Sequence, residues 1–155
     1  MLSFTASLSP NSTAFALFVN EKYDYKDVKG ILSKDISKKI DLFLKSLKEK
    51  KQKDEISSLD ISEKKKCFII KVKNKYENYY FEEIGGAFYT YVKKFKNINS
   101  IDIYADSLNE KKDKFDKYYF EEIGGSFFTY IKNYKTINSV DIYADSLNEN
   151  KDKLS

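Results

Sequence analysis

The stretch YYFEEIGGAFYTYVKKFKNINSIDIYADSL, residues 79–108, decides how this chain folds, because it occurs twice. Residues 118–147 read YYFEEIGGSFFTYIKNYKTINSVDIYADSL. Over the full unit, residues 76–114 against 115–153, 28 of 39 positions are identical and the offset is a constant 39. Most changes are conservative, such as Val92 to Ile131. Within the first copy, Phe81, Ile84, Phe88, Tyr91, Val92 and Phe95 fall on one stripe at helical spacing. INSIDIYA at 98–105 then predicts a strand anchored by Ile101 and Ile103. The second copy repeats the pattern with Phe120, Ile123, Phe127, Tyr130, Ile131 and Tyr134, then Val140 and Ile142. Solenoid repeats of similar period come in three or more divergent copies. Two adjacent and nearly identical copies point instead to a recent tandem duplication, with the second copy adding one strand to a parallel sheet.

Working outward, CFIIKV at 67–72 is almost continuously apolar, as a buried strand should be. From there the order is β-α-β-α-β, and such alternation argues for parallel strands joined by right-handed crossovers. Ahead of it, TAFALFV at 13–19 alternates through Phe15, Leu17 and Val19 and predicts another strand. Ile36, Ile40, Phe43, Leu44 and Leu47 form one helical stripe, with Ser33 placed to cap it. Residues 55–61 are a weaker strand candidate. The expected fold is α/β with a mostly parallel sheet.

Composition sets further bounds. The chain has 155 residues, a net charge of +4 and 41% hydrophobic residues, enough for a core. All 28 basic residues are lysine, and histidine and tryptophan are absent. Without histidine there is no Ser-His-Asp or Cys-His pair and no imidazole metal ligand. Without arginine there is no bidentate fork for phosphate or guanine, so nucleic-acid binding is expected to be weak and sequence-blind. The Lys, Asn, Ile, Tyr and Phe usage fits an AT-rich genome. A single cysteine, Cys67, excludes an internal disulfide, and its apolar strand makes it a buried, inert thiol. No apolar run approaches the roughly 18 residues that span a bilayer, and the start lacks a secretory pattern. The expected location is the cytoplasm, with no membrane partner.

Several groups could carry chemistry, and each has a plainer reading. Gly85-Gly86 and Gly124-Gly125 could cradle a phosphate, but they fall inside helical patterns and not between a strand and a helix start. Close helix-to-sheet packing explains them. Glu82-Glu83 and Glu121-Glu122 are adjacent helical residues that point apart and do not share a metal or proton. Asp102, Asp106, Asp141 and Asp145 flank the strands, and Asp106-Ser107 reads as a turn and cap. Tyr76, Tyr79, Tyr80, Tyr89 and Tyr91 could stack on bases, yet mostly follow the buried face. The lysine run at 45–53 reads as a solvated helix end and loop.

The combination of ALFVNEKY at 16–23, CFIIKV, the helix with Glu82, Glu83, Ile84, Gly85 and Gly86, and the strand at 100–105 resembles the N-terminal domain of bacterial leucyl aminopeptidases. These are the cytosol, or PepA-like, aminopeptidases. The resemblance covers roughly residues 1–108, leaving 109–155 as the duplicated helix-strand unit copied from 76–114. It implies a macrodomain-like, three-layer α/β fold. It also implies a hexameric cytoplasmic parent that uses two divalent metals, such as zinc or manganese, in a separate catalytic domain. No NTDAEGR-like or GKG-like signature occurs here, so no catalytic, cofactor-binding or metal residue can be mapped.

The expectation is a non-catalytic domain or fragment with no cofactor of its own, acting in assembly or regulation. Its partners would be other copies of itself or a full-length aminopeptidase. Two alternatives stand beside it. One is a free-standing macrodomain-like module for a nucleotide or nucleic acid. The other is part of an active aminopeptidase whose catalytic domain lies outside this chain.

Overall fold

The computed structural model describes residues 2–5, 11–27, 30–75, 77, 79–104, 107 and 139–143. Its sheet is arranged around β2 (Ala14–Val19), in which every residue is buried. The alternation read from the sequence splits this strand between two faces. Phe15, Leu17 and Val19 join the core under α1 (Lys34–Glu49), with Ile40, Leu44, Leu47, Cys67 and Ile69. Ala14, Ala16 and Phe18 join the core under α2 (Tyr80–Val92), with Phe68, Ile70, Phe81, Ile84 and Phe88. A helix on each face of one sheet gives three layers.

α1 follows the predicted stripe. The Ile36 N–H donates to Ser33 Oγ at 3.3 Å, closing the N-terminal turn. Such a cap contributes about 1 kcal/mol. Asp35 in the first turn and Lys48 in the last both complement the helix dipole. The lysine run is the helix end and the loop beyond it, as expected. Lys50 is the C-cap, Lys51 adopts a left-handed conformation (φ 49°), and the Gln52 N–H returns to Leu47 O.

Next comes an antiparallel hairpin of β3 (Ile56–Ser62) and β4 (Lys65–Lys71), with a bulge between Asp60 and Ser62. β4 pairs parallel to β2, with Phe15 beside Cys67 and Leu17 beside Ile69. α2 then crosses to the far side of β2, where β5 (Ser100–Tyr104) also pairs parallel. Phe68 anchors this face with edge-on ring contacts to Phe88, Tyr91 and Phe95 at centroid distances of 5.4, 6.1 and 5.7 Å. Each such contact adds roughly 0.5–1.5 kcal/mol beyond burial.

The second repeat contributes β6 (Ser139–Tyr143), parallel to β5 and matched residue for residue with its own duplicate, from Ser100↔Ser139 to Tyr104↔Tyr143. The strand is where the duplication reading put it. Its outer side is covered by β1 (Leu2–Thr5), which the sequence did not suggest and which pairs parallel through Leu2↔Val140 to Thr5↔Tyr143. The order is β1-β6-β5-β2-β4-β3, with β3 alone antiparallel among these strands.

Two expectations need correction. α2 ends at Val92, so Phe95 packs on the core from the turn beyond the helix and not from its stripe. Asp102 and Asp141 lie within β5 and β6 and do not flank them; Asp102 is buried. The helix expected in the second copy, with Glu121, Glu122, Gly124 and Gly125, lies outside the described residues, as do Asp106 and Asp145.

Candidate functional site

Neighbouring parallel strands β2 and β4 send the chain to opposite faces of the sheet, β2 toward α1 and β4 toward α2. Beyond the carboxyl ends of two such strands the connections diverge and leave a crevice, the general ligand position in open α/β sheets. The described residues there come from three segments. Asn20 to Lys26 follow β2, Val72 to Lys75 follow β4, and Ser107 follows β5.

The first segment is held by Asn20, whose Oδ1 accepts the N–H groups of Lys22 and Asp24 at 2.9 and 3.0 Å. Tyr23 takes a left-handed conformation (φ 63°) within this turn. Its hydroxyl donates to Gln52 O at 3.0 Å and accepts from Lys71 Nζ at 3.1 Å. The Lys71 ammonium also lies 5.0 Å from the Tyr23 ring centroid. The adjoining hollow, about 320 Å³, runs along α1 between Lys22, Tyr25, Lys45 and Lys48. Tyr25 donates to Asp41 at 3.1 Å. Burial, then the Asp41 charge, push its phenol up to about 12.

The second segment is stitched to the ladder by the Val72 N–H, which donates to Val19 O at 2.8 Å. The Lys73 N–H donates to Tyr80 Oη at 2.9 Å, so the start of α2 is tied to the end of β4. Burial, only partly offset by that bond, raises the Tyr80 phenol to about 12. Tyr79, left-handed at the helix N-cap, projects its ring into solvent. Tyr80, Tyr89 and Tyr91 pack on the core as expected; Tyr79 is the exception, and Tyr76 lies outside the described residues.

The third segment is fixed by Ser107, which is fully buried. Its Oγ accepts the Phe18 N–H at 2.8 Å and donates to Tyr104 O at 2.6 Å. Its carbonyl accepts the Lys26 N–H at 2.8 Å. Among the described residues the β2–β5 pairs run to Leu17↔Tyr104, and the Ser107 side chain takes the N–H of the next residue of β2, Phe18. Asp27 accepts the Ile31 and Leu32 N–H groups, both at 2.9 Å, and the Tyr104 hydroxyl at 3.1 Å.

The sequence candidates separate cleanly. Gly85 and Gly86 lie in the middle of α2, away from any strand-to-helix junction, so they form no phosphate cradle. Glu82 and Glu83 are exposed in its first turn, where they favour the helix dipole and would repel a phosphate. Cys67 is buried, and burial alone drives its thiol far above the ordinary range, so it is no nucleophile. Among the described residues, no three His, Cys, Asp or Glu side chains are grouped to hold a metal ion. The crevice itself was missed by residue patterns, since it is built from the ends of strands far apart in the chain.

Comparison with known proteins supports the fold. No protein-family model matches this chain, and no curated protein sequence does. Solved structures do match. The macrodomain of Thermus aquaticus DarG is 15% identical with a TM-score of 0.65, over 93% of this chain and 98% of that one. The macrodomain of Mycobacterium tuberculosis DarG is 12% identical with a TM-score of 0.67, over 92% and 97%. A mutant tomato leucine aminopeptidase is 11% identical with a TM-score of 0.59, over 92% of this chain but 32% of the enzyme. The fold is macrodomain-like. Among the described residues, no helix is long and apolar enough to cross a membrane.

Proposed function

We propose that this chain is a nucleotide-binding module of the macrodomain kind, taking a nucleotide of the ADP-ribose class at the carboxyl ends of β2, β4 and β5. The observation that carries the reading is coverage. Both DarG macrodomains are matched over nearly their whole length, by this chain over nearly its own. The switch in chain direction at β2 and β4 supports the same location. Lys22 and Lys73 would offer point charges to a diphosphate, and the exposed Tyr79 ring a face for a base. We read the module as non-catalytic. Calorimetric titration with ADP-ribose, and with leucine amide as an unrelated small molecule, tests it. Saturable one-to-one binding of ADP-ribose alone is expected; no heat with ADP-ribose up to millimolar concentration would sink the proposal.

The similarity to tomato leucine aminopeptidase favours a second reading. Here the chain is the non-catalytic N-terminal domain of such an enzyme, assembling with itself or with a full-length aminopeptidase in the cytoplasm. Light scattering behind a sizing column, with and without a bacterial leucyl aminopeptidase, distinguishes the two. A purely monomeric profile in both runs would reject it.

A further inference from the structure

At the amino ends of the same strands lies a second and larger groove, of about 630 Å³. One wall is the β3–β4 turn, carrying Lys64, Lys65 and Lys66. The other is the segment after α2, carrying Lys94, Phe95 and Lys96. Five lysines thus face two carboxylates, Asp60 and Glu63. One of those carboxylates is already engaged, because Asp60 is ion-paired with Lys66. The Lys66 ammonium also sits 4.5 Å from the Phe95 ring centroid, which holds the two walls together. Lys64, Lys94 and Lys96 are exposed. Their hydration is the plainer use for them, and Lys94 also lies near the negative end of the α2 dipole. Neither use accounts for two opposed walls bearing the same sign across a cavity of ligand size.

We infer that this groove binds the phosphodiester backbone of single-stranded nucleic acid. A concave channel admits a single strand, whereas a duplex is read by convex elements entering its grooves. The lining also carries acceptors besides its cations. The Glu63 carboxylate and the Asn97 amide oxygen, both on exposed residues, can accept from the N–H groups that every base carries, the uracil imide included, while the lysines neutralise phosphates. With lysine as its only cation, the groove has no fork for guanine and is sequence-blind. It lies at the opposite end of the sheet from the nucleotide crevice, so either assignment can fail without the other.

The test is fluorescence anisotropy with a labelled oligouridylate, run beside a labelled oligoglutamate of equal charge. Neutralising about three phosphates predicts a roughly 20-fold loss of affinity between about 50 and 200 mM salt. The triple variant Lys64→Glu, Lys94→Glu, Lys96→Glu should lose at least about tenfold in affinity. Lys38→Glu, Lys50→Glu, Lys53→Glu has the same net charge elsewhere on the surface and should lose far less. Circular dichroism confirms that both variants fold. Equal losses in the two triples would reduce the effect to net charge and overturn the assignment. So would equal or tighter binding of oligoglutamate, or no oligouridylate binding at low salt.

Discussion

Asp102 on β5 and Asp141 on β6 are direct cross-strand partners in a parallel pairing, one carboxylate fully buried and the other half-buried. They are the same residue of the two repeat copies, brought side by side because duplicate strands pair in register. In sequence they stand 39 positions apart.

Two carboxylates directly opposite each other on a sheet, where both are charged, are unfavourable by a few tenths to about 1 kcal/mol. A double-mutant cycle of Asp102→Asn and Asp141→Asn, read by urea unfolding, isolates this pair from whatever else each residue touches. The expected coupling is unfavourable. A favourable coupling would mean that the two side chains share a proton or a cation and support each other.

Ser107→Ala removes the acceptor of the buried Phe18 N–H. Losing such a buried hydrogen bond costs roughly 0.5–1.5 kcal/mol. Unfolding by urea should show that loss in midpoint with an unchanged slope. A change within about 0.3 kcal/mol would indicate that another group takes over.

The raised phenols of Tyr25 and Tyr80 set an alkaline limit. Each titrates near 10 when unfolded and about 12 when folded, so folding favours the protonated form. Their contribution is fully present below pH 10 and is lost as pH rises from 10 through 12. Tyr80→Phe should soften that alkaline loss while costing stability at neutral pH, where its bond from the Lys73 N–H is gone. Unfolding midpoints across the alkaline range check both signs. An unaltered alkaline slope in this variant would contradict the assignment.

Much of the framework was legible because it rests on local periodicity. The alternation of Phe15, Leu17 and Val19 and the stripe of Ile40, Leu44 and Leu47 are properties of single segments, and both reach the core as read. β1 was not legible. Its four residues, LSFT, alternate apolar and polar for only two periods, too short a run to stand out, and they form a strand by pairing with β6. Phe95 shows a different failure. It continues the helical spacing of α2, yet the helix stops at Val92 and the turn still delivers the ring to Phe68. The crevice was invisible for a third reason. Ser107 and Phe18 meet across 89 positions, and nothing in either neighbourhood announces the other.

A nucleotide bound at the carboxyl end of the sheet, as proposed, would perturb the backbone amides around it. Amide chemical-shift mapping during titration with ADP-ribose tests it most directly. The predicted result is saturable shifts concentrated in Asn20 to Lys26, Val72 to Lys75 and Ser107, with Lys64 to Lys66 and Lys94 to Asn97 unmoved. Shifts confined to the amino-end groove, or none at a saturating concentration of ADP-ribose, would contradict it.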